Sequence, residues 1–154
     1  MSESIPPADG QAVTLKRLFS RSTSVTIDID ALPESIWAVL TDADGFKSWN
    51  STIVDLTGKI APGGRLRLRS TLVPERTFKL RVKEFQPPTR LSWGDAMGTR
   101  IFTLTPNSAS GTRFTMSETI GGPIFPLYAR MIPPFDESFH HFARDLKAAA
   151  EENV

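Results

Sequence analysis

Pro33-Glu34-Ser35-Ile36-Trp37-Ala38-Val39-Leu40-Thr41-Asp42, followed closely by Phe46-Lys47-Ser48-Trp49, is the stretch that decides the fold. Pro33 suits a first helical position, because its missing N–H would be unpaired there anyway. Ile36, Trp37 and Leu40 share one helical face, Gly45 breaks the run, and Phe46 and Trp49 begin a second short helical turn. A longer helix comes last. Phe135, Phe139, Phe142, Leu146 and Ala149 recur at spacings of four, three, four and three, the stripe of an amphipathic helix. Residues 124–132 read as a further helical stretch, interrupted by Pro133-Pro134. One long helix against one antiparallel sheet, with a small helical plug at the other end, can leave a hollow rather than a solid core.

The rest of the chain alternates like strands. Residues 24–30 set Val25, Ile27 and Ile29 against Thr26, Asp28 and Asp30, the period of a half-buried strand. Residues 52–57 form another strand, stopped by Gly58 and Pro62-Gly63-Gly64. Residues 65–72 put Leu66, Leu68 and Leu72 on one face and Arg65, Arg67 and Arg69 on the other; residues 76–85 oppose Phe78, Leu80 and Val82 to Lys79, Arg81 and Lys83. Short strands follow at 89–94, 99–105 and 112–120. One apolar and one charged face per strand is the pattern of an antiparallel sheet wet on one side. Residues 1 to about 12 read as a mobile arm, and residues 13–19 fit either an extra strand or a short helix.

Composition narrows the class. The chain has 154 residues, enough for one domain, with 40% hydrophobic and 23% charged residues. A net charge of +1 gives no global field toward nucleic acid or an anionic membrane. The absence of cysteine excludes disulfides, thiol catalysis and cysteine-bound metal. No apolar run approaches the roughly 20 residues of a bilayer span, and the first residues lack the order of a signal peptide. A cytoplasmic location is expected.

The order of these elements resembles the helix-grip fold, shared by START lipid-transfer domains, birch-pollen-type allergens and bacterial polyketide cyclase/dehydrase-like proteins. The residues carrying the resemblance are Pro33-Glu34, Ile36-Trp37, Leu40-Thr41-Asp42, Phe46 and Trp49. Next come Pro62-Gly63-Gly64 and Val82-x-Glu84-Phe85-x-Pro87-Pro88-x-Arg90-Leu91-x-Trp93. Gly111-Thr112-Arg113-Phe114, leading to Glu118 and Gly121, is last. The resemblance implies an α+β fold: a curved antiparallel sheet of about seven strands wrapped around a long C-terminal helix, with two short helices after the first strand. It divides the chain into an N-terminal extension, residues 1–21, partly disordered, and a ligand-binding domain, residues 22–152. Function is not fixed by it, since the superfamily holds carriers, receptors, cyclases and co-chaperones.

Register supplies a candidate site. A turn centred on Asp95 to Met97 sets Trp93 opposite Arg100 and Leu91 opposite Phe102, and opposed residues share a face. Phe114 and Met116 read as inward, and alternation carries Glu118 to the same face. Arg100 and Glu118 then meet on the cavity wall, either as a polar anchor for a ligand or as a structural salt bridge or rim pair. Trp37 and Trp49 read as anchors fastening the small helices, Trp49 also as a cavity edge. The expected wall is Trp49, Leu66, Leu68, Phe78, Leu80, Trp93, Phe102, Phe114, Met116, Phe139 and Phe142, with Arg100 and Glu118 among them. His140 and His141 are adjacent, lack the i, i+4 spacing of a metal pair, and read as solvated or rim residues. No metal, no cofactor and no nucleophile elbow is expected. The cations on residues 65–83 read as a solvated face, since a nucleic-acid platform would add aromatics there.

The leading reading is a protein that binds or carries a small hydrophobic or amphipathic ligand, such as a lipid, a polyketide-like aromatic or an isoprenoid. The expected partners are that ligand and at most a second copy of the chain, with no nucleic acid and no stable membrane insertion. Two alternatives stand beside it: a cyclase/dehydrase-like or isomerase-like enzyme using Glu118 and Arg100, and a co-chaperone-like interaction module. The segment 124–132, bracketed by Gly121-Gly122 and Pro133-Pro134, reads as a lid or an interaction segment.

Overall fold

The computed structural model describes residues 9–152, so most of the mobile arm expected at the N-terminus lies outside the described residues. A single antiparallel sheet of eight strands runs in the order β1-β2-β8-β7-β6-β5-β4-β3. Its strands are β1 (Val13–Lys16), β2 (Ser20–Ile29), β3 (Ile53–Gly58), β4 (Arg65–Ser70), β5 (Phe78–Gln86), β6 (Arg90–Gly94), β7 (Gly98–Pro106) and β8 (Thr112–Gly121). The eighth strand corrects the expectation of about seven. Val13–Lys16 pairs with residues 21–24, resolving the ambiguity of that segment as a strand. The strand expected from residue 24 begins at Ser20, so the expected domain boundary at residues 21–22 falls inside β2.

The chain crosses from β2 to the far edge of the sheet through α1 (Pro33–Leu40) and α2 (Phe46–Trp49). Pro33 begins α1, Ile36 and Leu40 bury one turn apart, and the Thr41 hydroxyl donates to the Trp37 carbonyl at 2.7 Å to close it. After β8 come α3 (Phe125–Tyr128), a 3₁₀ turn (Ala129–Met131) and the long helix α4 (Asp136–Glu152). Asp136 and Glu137 in the first turn of α4 complement its dipole. Its buried stripe is Phe139, Phe142, Ala143, Leu146 and Ala150. Ala150 takes the place expected of Ala149, because the spacing after Leu146 is four rather than three.

The stripe lies across the inner face of β2 and its neighbours, where Thr23, Val25, Ile27 and Ile29 are buried. Polar ties fix its angle. Ser51 donates through its N–H and hydroxyl to Asp145 at 2.8 and 2.7 Å, and Lys147 reaches the Asp28 carbonyl at 2.8 Å. At the α1–α2 end the interior is solid. Phe46 packs on Trp49, and Phe142 lies between Phe46, Trp49, Phe102 and Phe114, with ring centres 4.7–6.5 Å apart. Each such ring contributes about 1.5–3 kcal/mol by leaving water.

Candidate functional site

The opposite end of the same interior is hollow. A cavity of about 360 Å³ lies between the inner face of β3–β8, the segment after β8 and the first turn of α4. Leu68, Phe78, Leu80 and Trp93 form its sheet wall, and Leu72 and Val73 from the β4–β5 connection close one side. Tyr128, Met131, Ile132 and Pro133 form the roof, and Phe135 and Ser138 bring in α4.

The only ion pair among the described cavity residues is the one that alternation placed there. Trp93 faces Arg100 across β6–β7, and Arg100 faces Glu118 across β7–β8. Arg100 Nε donates to Glu118 Oε1 at 2.9 Å, and the two side chains are 10% and 18% exposed. The guanidinium carbon sits 4.9 Å from the centre of the Phe139 ring and 5.7 Å from that of Phe142. The cation is therefore held between a carboxylate and two aromatic faces, which compensates for much of its lost hydration. Guanidinium carries five N–H donors, and Nε is the one engaged by protein among the described residues. The rest are available to an oxygen in the cavity.

Arg21 supports this end from outside. It donates to the Ile132 and Pro133 carbonyls at 3.2 and 2.7 Å and stacks 5.1 Å from the Phe135 ring centre. Burial lowers its pKa, and the nearby Asp136 and Glu118 carboxylates partly offset that. The roof segment is thus pinned at its C-terminal hinge, while Gly122, at φ +145°, provides the other turn.

Of the expected wall, Leu68, Phe78, Leu80, Trp93, Arg100 and Glu118 line the cavity. Trp49, Phe102, Phe114 and Phe142 do not; they fill the solid end with one another. Met116 is fully buried between the Val25 and Phe102 positions. Phe139 stacks on Phe135 beneath Arg100 rather than facing the cavity. Leu66 is buried in the core and borders a different, more open depression. That depression, about 520 Å³, runs along the wet face between Arg65, Arg67, Lys79 and Arg81. Its charged lining makes it a solvated groove of the sheet rather than a home for an apolar ligand.

Sequence reading missed the roof residues Tyr128, Met131 and Ile132 as cavity lining, although their apolar run between glycines and prolines was visible. It also missed Arg21, whose partners lie more than 110 residues away. His141 is exposed, with Glu137 at 3.8 Å. His140 departs from the solvated reading. Its Nε2 is buried without a hydrogen-bond partner among the described residues. It lies on the helix face between Asp136 and Lys147, which reach Thr14 and Asp28 on β1 and β2. Among the described residues no group of three metal-ligating side chains lies together, and no helix is long and apolar enough to cross a membrane.

Solved structures share this architecture at low identity. A START superfamily protein from Mycobacterium smegmatis is 18% identical, with 86% of this chain and 99% of that one covered and a TM-score of 0.63. A protein from Nitrosomonas europaea is 20% identical, with 90% and 98% covered and a TM-score of 0.68. The di-domain ARO/CYC StfQ from the steffimycin biosynthetic pathway is 12% identical, with 88% of this chain and 52% of that one covered, TM-score 0.68. No curated protein matches the chain. The family model described as polyketide cyclase/dehydrase and lipid transport matches residues 20–151, from the first residue of β2 into the last turn of α4, and the chain belongs to that family.

Proposed function

We propose that the protein binds a small hydrophobic or amphipathic molecule, such as a lipid, a polyketide-like aromatic or an isoprenoid, in the cavity beneath residues 128–133. The observation that carries this reading is an apolar chamber of about 360 Å³ with one aromatic-backed ion pair in its wall. That combination, apolar walls with a few convergent polar groups, is the usual make-up of a small-molecule site. Leu68, Phe78, Leu80 and Trp93 take the apolar body. Each 100 Å² of it buried yields about 2.5 kcal/mol before ordering costs. Arg100 takes an oxygen of the polar end, and Glu118 holds Arg100 in place.

Native mass spectrometry of protein purified without detergent tests the reading. A co-purifying molecule is expected, or else, in a Trp37→Phe/Trp49→Phe variant that leaves Trp93 as the sole tryptophan, quenching of its fluorescence on titration with a fatty acid, farnesol or a hydroxynaphthalene. A bare mass together with an unresponsive Trp93 across that panel overturns it.

A cyclase-type reaction is the second reading, favoured by a cation and a carboxylate in one largely buried wall. Arg100 would stabilise oxyanion charge developing on a carbonyl, and Glu118 would move the proton. Glu118→Gln discriminates: turnover lost with ligand affinity intact supports an enzyme, whereas binding with no turnover in either protein supports a carrier.

A further inference from the structure

Most of the large apolar side chains left in solvent gather at one end of the molecule, with Leu32 before α1 and Val13 and Leu15 on β1 standing apart. Leu18 and Phe19 form the tip of the β1–β2 hairpin, Ile124, Leu127 and Met131 lie on the cavity roof, and Met97 caps the β6–β7 turn. Leu127, Met131 and Leu18 are 83, 81 and 70% exposed. Backbone hydrogen bonds hold the three loops side by side: Gly122 N–H donates to the Phe19 carbonyl and Gly121 N–H to the Met97 carbonyl, both at 3.0 Å. A grouped apolar tip of this kind on a soluble domain marks an interaction surface.

Charge identifies the partner. Residues 10–27 and 119–135, which build the hairpin and the roof, contain Lys16, Arg17, Arg21 and Arg130 and no carboxylate; the third loop carries one, Asp95, which accepts from the Met97 and Gly98 N–H groups. Arg21 is occupied with the roof carbonyls. Lys16, Arg17 and Arg130 are exposed and make no ion pair among the described residues. A second copy meeting this surface symmetrically would set those cations against their own counterparts. A layer that offers apolar depth beneath negative charge satisfies both features at once. The surface also borders the cavity, since the exposed Met97 and Met131 line it.

We propose that this end of the molecule docks reversibly on an anionic lipid bilayer. Leu18, Phe19, Ile124 and Leu127 enter the interfacial region, and Lys16, Arg17 and Arg130 meet lipid phosphates. The exposed border of the cavity then faces the membrane.

Flotation of the full chain with phosphatidylcholine vesicles, with and without about 30% phosphatidylglycerol, tests this. Binding is expected on the anionic vesicles, weakening with salt. Leu18→Asp and Leu127→Asp should each lower partitioning about tenfold or more, and Lys16→Gln and Arg17→Gln about fivefold apiece. All four positions are exposed, and circular dichroism checks that the variants remain folded. Arg67→Gln with Lys79→Gln, on the wet sheet face, should leave binding unchanged. The proposal is overturned by equal or absent binding on both vesicle types, or by indifference to both aspartate variants. Loss only in the Arg67/Lys79 variant, or a dimer dispersed by Leu127→Asp without vesicle association, overturns it as well. Leu18 and Leu127 lie outside the cavity wall and flotation reads association with the vesicle itself, so loss in the aspartate variants is distinct from a failure of the ligand-binding reading.

Discussion

Removing one member of the Arg100–Glu118 pair should cost more than removing both in proportion. Glu118→Met leaves a guanidinium that is 10% exposed without its carboxylate, while Phe139 and Phe142 still face it. Breaking a fully buried pair costs about 3–5 kcal/mol. Here the cavity admits solvent to the remaining charge and the aromatic faces persist, which lowers the figure to about 2–3 kcal/mol. Arg100→Met strands the carboxylate instead and loses the ring contacts, at a similar about 2–3 kcal/mol. The double variant replaces the pair with two apolar side chains that suit the cavity wall. Its expected cost is about 3 kcal/mol, leaving a coupling of about 2 kcal/mol. For a domain of this size each single change lowers Tm by about 5–10 °C. Urea unfolding followed by tryptophan fluorescence measures all four corners of the cycle. Additivity within about 0.4 kcal/mol, or single losses below about 0.5 kcal/mol, would refute the claim that these two charges depend on each other.

The solid and hollow ends should separate by mutation: Phe102→Ala costs about 3–5 kcal/mol of stability, whereas half-buried Phe78→Ala costs about 1 kcal/mol and instead weakens ligand binding, as paired urea and fluorescence titrations would report. Arg21→Met removes two hydrogen bonds to the roof hinge, so amide exchange across residues 125–135 should accelerate about tenfold while that of α4 holds; uniform acceleration would point to global destabilisation instead. At the other end of α4, the Lys147 ammonium first, and then the Asp30 N–H, hold the Glu151 carboxyl below its ordinary pKa of 4.5. A depressed folded pKa gives stability that is present above the ordinary value and lost as pH falls through the folded one. Lys147→Met should therefore flatten the loss of stability below about pH 4.5, and an unchanged acid limb in urea midpoints would remove Glu151 from the explanation.

Alternation carried the sequence reading a long way on one side of the sheet. Trp93, Arg100 and Glu118 could be aligned because β6, β7 and β8 are joined by short turns and run without a bulge, so each inward residue fixes the next. The same rule gave no height along the strands. Phe102, Phe114 and Met116 share a face with Arg100 and Glu118 yet sit where α4 delivers Phe142, so they pack rather than line. Which inward residue meets a helix and which meets space depends on the path of α4, and that path is set by contacts such as Ser51–Asp145 that span the chain. β1 was obscure for a local reason. Four residues of strand are followed at once by exposed Leu18 and Phe19, which break the polar–apolar alternation.

The hollow end is too large to be a sealed, empty void. A sealed, dry void costs about 24 cal/mol per Å³, so a chamber of 360 Å³ would forfeit about 9 kcal/mol, comparable to the whole stability of a domain. A fold keeps such a space only if something enters it. The polar wall at Arg100 and Glu118 makes entry by water tolerable, and the exposed Met97 and Met131 bring the cavity lining to the surface. Filling the chamber from within separates this account from a purely structural one. Leu80→Phe adds volume facing the cavity, next to Trp93. If the space exists to be occupied, the variant should hold or raise stability while losing ligand. If the chamber is closely packed in solution, the same substitution overpacks it and costs about 1–3 kcal/mol.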